Sequence, residues 1–285
     1  MPEIPFVETL VTNLRPRVTG RQIRRIQLRS PSLLKSVDPP LSAAEGNSIT
    51  GVDRRGKLVR LDLSGDLVVI IHLKRDGRLA ITPSRQRVTR DVALVLQLDG
   101  GEDLRLVELG PKKRAGLYLC RTDEVESTEP VAGLGVEPLD PAFTPEALAA
   151  MLTDARMQLK RFLGMQRYLA GIGNAYGDEI LWEARLSPFA PTATLSDEER
   201  DRLYRAIREV LSRSIGEHRA HFGDTLPMRE PPVLLRAHRR DGEPCPRCGT
   251  PIAAVYYSEK ETYYCPTCQT HGKVYADRRL SRLLK

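Results

Sequence analysis

The first residues of the chain combine two groups that could do chemistry on an electrophilic carbon. Removal of Met1 would leave Pro2 with a free secondary amine, and Glu3 follows directly. An α-amino group has a reference pKa of roughly 8, so a fraction of it is unprotonated near neutral pH. Such an amine can attack carbon while a neighbouring carboxyl moves a proton. The pair is therefore a candidate for covalent amine catalysis, although many chains begin Met-Pro without such a role and termini often fray.

A second chemical signal lies near the other end of the chain. Four of the five cysteines, Cys245, Cys248, Cys265 and Cys268, form a C-x2-C-x16-C-x2-C pattern, and only Cys120 stands apart. Two close pairs separated by a hairpin-length segment can place four thiolates tetrahedrally around Zn²⁺. The pattern predicts one structural Zn²⁺ per chain, with no open position for hydrolytic chemistry. The alternative is a set of free or redox-active thiols.

The charge of the chain favours nucleic acid as a partner. Its 285 residues include 44 Lys and Arg against 37 Asp and Glu, which gives a net charge of +7 and a pI near 9.3. Residues 231–285 hold ten of the basic residues and five acidic ones. Phosphates bind guanidinium groups well, although a solvated surface of mixed charge would give a similar balance.

Targeting segments are not evident in the sequence. No stretch approaches about 20 consecutive apolar residues, so we expect no membrane span. No charged region followed by an apolar run marks the N-terminus as a secretory signal. We expect a cytoplasmic protein, nucleoid-associated and of bacterial type, with no organic cofactor.

The N-terminal half of the chain changes from a helical to a strand pattern. Apolar residues from Ile4 to Leu14 follow helical spacing, and Pro16 is expected to end that helix. Short segments rich in Val, Leu and Ile then predict an antiparallel β-sandwich or barrel. Glycines such as Gly51 and Gly77 are interpreted as breaks between strands. The predicted strands include Ile23–Leu28, Leu58–Leu63, Asp66–His72, Ala93–Leu98 and Leu104–Leu109.

The C-terminal half is predicted to be helical, followed by a small ribbon. A helix through Leu159–Tyr168 is expected to run into a Gly-x-Gly turn, with a second helix opening at Asn174, which could cap it or contact a phosphate. Two ribbon strands are expected at Ile252–Tyr257 and Thr262–Tyr264. Further helix starts are predicted from capping residues at Thr144-Pro145-Glu146 and Ser196-Asp197-Glu198.

These motifs together resemble the formamidopyrimidine-DNA glycosylase/endonuclease VIII family. They lie in the family's order along essentially the whole chain, and the cysteine ribbon completes the pattern. Each motif is modest alone, whereas the combination is specific. The motifs are Pro2-Glu3-Ile4-Pro5 with Val7-Glu8-Thr9, Arg55-Gly56-Lys57, Gly171-Ile172-Gly173-Asn174 and Asp241-Gly242-Glu243-Pro244-Cys245.

The resemblance implies an α+β fold in which an N-terminal β-sandwich with a leading helix precedes a helix–two-turn–helix domain with a C-terminal zinc ribbon. We accordingly expect a catalytic domain at residues 1–125, a linker at 126–142, a helical DNA-binding domain at 143–230 and a zinc-finger module at 231–285.

The resemblance also implies a bifunctional DNA glycosylase with abasic-site (AP) lyase activity in base excision repair. Pro2 would be the nucleophile that attacks C1′ of a damaged nucleoside through a Schiff base, and Glu3 would assist proton transfer. Lys57 and Asn174 match family residues that engage phosphate. The damaged base must leave the stack for this chemistry. Damaged DNA is the expected partner and a monomer the expected state.

The sequence differs from the family pattern at positions that contact the damaged base or its surroundings in the family. Phe6 stands where the family usually has a glutamate, and Arg75 stands where a methionine fills the void left by the flipped base. Lys113 and Arg114 keep the basic character of a DNA-contacting loop, but Ala115 replaces its aromatic wedge.

Two further departures concern the C-terminal part of the chain. Lys260 aligns with the arginine of the zinc-finger hairpin, so a cation that can bind phosphate replaces a forked one. Residues 226–238 are too few for the family's usual capping loop over 8-oxoguanine. All these departures predict a lesion preference other than the standard 8-oxoguanine specificity.

Two alternative functions remain open. The chain could be a DNA-binding protein that kept the scaffold and lost base excision. It could also be a ribosome-associated zinc-ribbon protein, because the Gly-x-Gly-Asn motif resembles one found in RNA binders. Retention of Pro2, Glu3 and Lys57 favours the enzyme.

Overall fold

The computed structural model describes residues 2–257 and 260–275, except for the side chains of Tyr257 and Lys260. The chain forms two compact units. The first unit comprises residues 1–133 and 218–230, and the second comprises residues 134–217 and 231–285. Within the described ranges, no helix is both long and apolar enough to span a membrane. The domain boundaries expected at residues 125, 142 and 230 stay a prediction.

The main elements of the first unit are one complete α-helix and two four-stranded antiparallel sheets. The sheet orders are β1-β6-β7-β5 and β2-β3-β4-β8, so the predicted β-sandwich with a leading helix is confirmed. The elements are α1 (Ile4–Val18), β1 (Ile23–Leu28), β2 (Ile49–Arg55), β3 (Leu58–Leu63), β4 (Leu67–His72), β5 (Gly77–Pro83), β6 (Val92–Leu98), β7 (Glu102–Glu108) and β8 (Gly116–Arg121).

Helix α1 is held by its apolar face. The apolar side chains predicted to form that face are all at most 1 % exposed, and four of them belong to the core of the first unit. They are Ile4, which lies outside that core cluster, and Val7, Leu10, Val11 and Leu14. The helix does not end at Pro16, as predicted, but continues to Val18. Val18 is fully buried, and packing of that side chain offsets the backbone hydrogen bond that Pro16 cannot donate.

The predicted strands are all found. Two of them, Ile23–Leu28 and Leu58–Leu63, match without change, and the other three shift by one or two residues at their ends. Three further strands, β2, β5 and β8, were not predicted. Gly51 lies inside β2 instead of breaking the chain, because its backbone passes close to the next strand. A Cβ at this position would stand 2.9 Å from Oδ2 of Asp62 on β3.

Helices dominate the second unit. Thr144 Oγ1 accepts a hydrogen bond from Ala147 N (3.2 Å) at the start of α2, and Ser196 Oγ accepts one from Glu199 N (3.2 Å) at the start of α5. Both predicted caps are therefore confirmed. The helix expected through Tyr168 ends at Leu163, and a turn leads on to α4. The helices are α2 (Pro145–Ala155), α3 (Leu159–Leu163), α4 (Asn174–Ala184) and α5 (Asp197–Phe222).

A two-stranded antiparallel ribbon and one short helix complete the second unit. The ribbon pairs β9 (Ala253–Tyr257) with β10 (Lys260–Tyr264), and α6 (Pro266–Thr270) follows. The predicted ribbon is thus confirmed, with its second strand starting two residues earlier than expected.

Asp178 connects helix α4 to this ribbon. Its carboxylate is fully buried and lies 2.6 Å from Lys160 Nζ and 2.7 Å from His238 Nδ1. It also accepts a hydrogen bond from the backbone N–H of Tyr263 on β10 (3.2 Å). One carboxylate therefore satisfies three donors from three separate segments.

We expect Asp178→Ala to lower the free energy of unfolding of the second unit by about 3–5 kcal/mol, because it leaves the nearly buried Lys160 ammonium without its partner. Urea unfolding followed by the fluorescence of Trp182, the single tryptophan of the chain, measures this loss. The control is Glu198→Ala, which removes an 82 % exposed carboxylate from a surface pair with Arg202 and should cost less than about 1 kcal/mol. Equal losses in the two variants would contradict the prediction.

Candidate active site and metal centre

Pro2 and Glu3 lie buried at the start of helix α1. Glu3 is 4 % exposed and occupies the N-cap position, where its backbone carbonyl accepts a hydrogen bond from Val7 N (3.0 Å). Pro2 is also buried. Because the apolar face of α1 is fixed in the core, its first turn cannot fray freely. The secondary amine predicted from the sequence would therefore be held in one place.

Lys57 lies in the tight turn between β2 and β3. The preceding residue, Gly56, has φ of 58°, a left-handed conformation that glycine adopts without steric cost. Only 5 % of Lys57 is exposed, although lysine is rarely buried to this degree. The turn thus holds a cation in a largely desolvated position.

Two contacts between α1 and β2 orient the helix relative to this turn. Arg54 Nε donates to Glu8 Oε2 (3.0 Å), and Arg15 Nε donates to the backbone carbonyl of Val52 (2.9 Å). The earlier helix residue meets the later strand residue, so α1 and β2 run in opposite directions. The start of α1 and the Lys57 turn consequently lie at the same end of the first unit. Pro2 and Glu3 therefore share this end of the first unit with Lys57.

A half-buried histidine lies close to Lys57. His72 ends β4 and pairs with Leu58 on β3. Burial, with the charges of Lys74 and Lys57, lowers the pKa of His72 to about 3. Its Nδ1 accepts a hydrogen bond from the backbone N–H of Lys74 (3.1 Å). A neutral imidazole therefore adds no positive charge next to the lysine.

The predicted DNA-contacting loop is anchored by a buried carboxylate. Glu108, 2 % exposed, accepts hydrogen bonds from the backbone N–H groups of Arg114 (2.7 Å) and Ala115 (2.9 Å). Lys113 Nζ donates to the Glu108 backbone carbonyl (2.6 Å). The side chain of Arg114 is exposed and that of Ala115 is buried. The sequence analysis missed Glu108, although an acidic residue five positions before the basic loop was visible.

Arg75 lies in the turn between β4 and β5, with its side chain exposed. Phe6, the other departure near the terminus, is 1 % exposed and lies in the first turns of α1. Arg75 therefore lies on the surface of the first unit, whereas Phe6 lies in its packed interior.

Asn174 opens helix α4 but does not cap it. The N-cap residue is Gly173, so the suggested capping role was wrong. Asn174 Nδ2 instead donates to the backbone carbonyl of Glu261 on β10 (2.9 Å). This bond uses one of the two amide hydrogens and fixes the direction of the other.

The four clustered cysteines converge in the second unit. Their Sγ atoms all lie within 4.8 Å of one another, and Trp182 Nε1 points its N–H at Cys245 Sγ (3.3 Å). The backbone N–H of Cys268 points at Cys265 Sγ (3.4 Å). Four sulfurs at this spacing, two of them receiving N–H donors, fit the thiolate ligands of a tetrahedral Zn²⁺.

Lys260 begins β10, but its side chain lies outside the described part of the chain. Its predicted contact with DNA therefore stays a prediction.

Three family models match the chain. Residues 1–111 match the formamidopyrimidine-DNA glycosylase N-terminal domain, and residues 134–223 match the formamidopyrimidine-DNA glycosylase H2TH domain. Residues 242–270 match a zinc finger found in FPG and IleRS.

Curated relatives agree with these models. The chain is 38 % identical over 261 residues to a formamidopyrimidine-DNA glycosylase from Moorella thermoacetica, covering 90 % of this chain and 94 % of the relative. It is 36 % identical over 279 residues to a protein of that name from Thermus thermophilus, covering 95 % of this chain and 100 % of the relative.

Solved structures extend the similarity to the fold. The crystal structure of the MutM (Fpg) protein from Thermus thermophilus matches with a TM-score of 0.80 at 34 % identity, covering 94 % of this chain and 98 % of that one. A Lactococcus lactis Fpg mutant in complex with Fapy-dG-containing DNA matches with a TM-score of 0.85 at 26 % identity, covering 94 % and 100 %. Because these family models cover most of the chain and its relatives are more than 30 % identical over nearly their whole length, the chain belongs to the formamidopyrimidine-DNA glycosylase family.

Proposed function

We propose that this protein is a DNA glycosylase of base excision repair with an associated AP lyase activity, and that the amine of Pro2 is its nucleophile. The observation that carries the proposal is the placement of Pro2 and Glu3 at the anchored start of α1, with the Lys57 turn at the same end of the unit. Damaged DNA is the proposed partner, and the protein is proposed to act as a monomer.

The proposed reaction begins when the Pro2 nitrogen, freed by removal of Met1, donates its lone pair to C1′ of the damaged nucleotide. The bond between C1′ and the base breaks, and the base leaves with its electron pair and a proton. Opening of the sugar ring then gives an iminium ion, with O4′ protonated. Glu3 is positioned to carry these protons, because it follows the amine directly in the chain.

The iminium ion serves as an electron sink for strand cleavage. It makes a C2′ proton acidic, so a base can remove that proton while the bond to the 3′ phosphate breaks. Hydrolysis of the remaining Schiff base regenerates the amine. Secondary amines suit this path, because their iminium ions are permanently charged.

Lys57 and Asn174 are proposed to bind phosphates of the damaged strand. A buried lysine offers a poorly hydrated ammonium, which gains more from a phosphate than a surface lysine does. The low pKa of His72 keeps its imidazole neutral beside Lys57, so the local charge comes from the lysine. The second amide hydrogen of Asn174 is available for the same purpose.

The alternative function is that of a DNA-binding protein with the same fold that no longer excises bases. Such a protein would bind DNA through the same groups, but Pro2 would form no covalent bond with the DNA. Retention of the proline, the adjacent glutamate and the lysine in one place favours the enzyme.

We expect borohydride to trap wild-type protein covalently on DNA that contains an abasic site, because the iminium ion is reducible. Pro2→Gly should lower trapping at least about 10-fold, since it replaces the secondary amine. Denaturing electrophoresis measures the adduct, and mass spectrometry verifies that Met1 has been removed. The matched control is Pro5→Ala, which changes a buried proline of the same segment but keeps the terminal amine. Absence of an adduct with correctly processed wild-type protein would support the binding-only alternative.

A second expectation concerns lesion preference. Because Phe6, Arg75 and Ala115 replace residues that read the lesion in the family, duplex DNA with 8-oxoguanine opposite cytosine should be cut more slowly than other lesions. A panel of oxidised pyrimidines, ring-opened purines and abasic sites, in duplex and single strands, measures the ranking. Cleavage of 8-oxoguanine at the rate of an ordinary family member would refute this expectation.

The cysteine cluster is proposed to hold one structural Zn²⁺ through Cys245, Cys248, Cys265 and Cys268. With four protein ligands, the ion would stabilise the ribbon and take no part in the reaction. Helix α4 contacts the ribbon through Asn174 and the cysteines through Trp182, so metal loss should disturb the phosphate-binding asparagine.

We expect chelation to release about one zinc per chain and to weaken DNA binding. Metal analysis and fluorescence anisotropy with labelled duplex DNA measure the two effects. Cys268→Ser should reproduce both, whereas Cys120→Ala, which changes the cysteine outside the cluster, should keep the metal. Unchanged DNA affinity after verified zinc loss would count against this role of the ribbon.

A further inference from the structure

Arg78 is held against the aromatic ring that replaces the family's glutamate. Its guanidinium carbon lies 5.4 Å from the centre of the Phe6 ring. Phe6 follows Pro2 by four residues and belongs to the first turn of α1, which begins at Ile4. Arg78 therefore packs on the helix turn that follows the proposed nucleophile in the chain, within the same unit.

Most of the Arg78 donors are committed to backbone carbonyls. Nε donates to Met228 O, and Nη1 donates to Arg75 O (3.1 Å) and to Gly77 O (2.6 Å). The acceptors belong to two separate segments, the turn leading into β5 and the segment around Met228, and together they fix the plane of the guanidinium. The remaining nitrogen, Nη2, donates no hydrogen bond to any residue that the structure describes.

The surroundings of Arg78 favour a hydrogen-bond acceptor at this unused donor. Within the described residues Arg78 forms no ion pair. Burial lowers its pKa and the charge of Arg229 acts in the same sense, whereas the charges of Asp76 and Glu230 act in the opposite sense. A guanidinium that is partly desolvated and has a free N–H edge gains strongly from a hydrogen-bond acceptor.

We propose that Arg78 is a base-recognition residue, whose Nη2 donates to a ring carbonyl oxygen of the extruded damaged base, with Phe6 as the positioning residue beneath it. This inference rests on the proposed function, because it requires a base held next to Pro2. Oxidised bases such as 8-oxoguanine and dihydrouracil carry carbonyl oxygens on their rings, and these oxygens can accept a hydrogen bond from such an N–H edge. A glutamate at position 6, which the resemblance implies for the family, would instead offer the Arg78 guanidinium a carboxylate.

The test separates base recognition from the chemistry at C1′. Two single-turnover rates are measured on the full-length, zinc-loaded protein with Met1 removed. The first is base excision from duplexes with one carbonyl-bearing lesion, either 8-oxoguanine, a formamidopyrimidine or dihydrouracil. The second is strand cleavage at a preformed abasic site, which has no base to recognise. The readout is the ratio of excision to cleavage for each lesion that the wild type excises.

We expect Arg78→Met to lower this ratio by about 10- to 100-fold, the loss that corresponds to one hydrogen bond from a charged donor. Arg78→Lys should also lower it, because an ammonium keeps the charge but not the fixed edge. Phe6→Leu should lower it by about 2- to 5-fold, as expected for loss of a cation–π contact. The control is Arg24→Met, which removes an exposed arginine from the same unit and should leave the ratio at the wild-type value.

Each other outcome rejects the proposal. Equal losses on both substrates in Arg78→Met would indicate a phosphate contact or a folding defect. An unchanged ratio would show that the base does not contact Arg78. A wild-type protein that cleaves abasic sites but excises no lesion would refute base recognition, while the lyase chemistry stands. Failure of the wild type to form an adduct at abasic sites would instead refute the proposed function.

Discussion

Burial of the apolar face of α1 is the constraint on which the proposed reaction centre depends. A free chain terminus is the most mobile part of most proteins, and a mobile amine cannot be aimed at one carbon atom. Seven apolar side chains of this helix are at most 1 % exposed. Their burial contributes about 10–20 kcal/mol as an upper estimate, far more than fraying of one turn could recover. Contacts of Glu8 and Arg15 with β2 then set the direction of the helix, so that its start and the Lys57 turn share one end of the unit.

Helix α4 of the second unit also holds a candidate DNA-binding side chain in a fixed position, but through polar contacts. Asn174, Asp178 and Trp182 recur every four residues and therefore lie on one face of the helix. That face contacts the ribbon through a backbone carbonyl, a backbone N–H and a cysteine sulfur. Polar contacts fix the orientation of the asparagine here, whereas apolar packing fixes the proline in the first unit. The clustered cysteines thus affect the position of the asparagine through helix α4, although no described contact joins them to it.

Much of this organisation could be predicted from the sequence because it depends on local patterns. The helical spacing of apolar residues located α1, and the cysteine spacing located the metal cluster. Strand β2 escaped prediction because its sequence is rich in charge and contains Gly51, whose role is a close approach to Asp62 that only the paired strand reveals. The length of α1 past Pro16 likewise depends on burial of Val18, which is a tertiary effect. Arg78 could not be recognised at all, since nothing in the sequence places it over Phe6 or shows that Met228 would hold it.

Reaction chemistry and base recognition place different demands on this unit. An amine that attacks C1′ needs a fixed position and a nearby proton carrier, and it requires nothing of the base except that it can leave. The residues that read the base need only face the space beside the amine, so they can change without disturbing the attack. Phe6 illustrates this freedom, because an aromatic ring replaces a carboxylate within one turn of Pro2 while the buried face of the helix is kept. The Arg78 guanidinium is held by backbone carbonyls, which leave its charge unneutralised and one N–H edge open. The proposed nucleophile and the proposed base contact are therefore compatible, because each depends on different contacts of this unit.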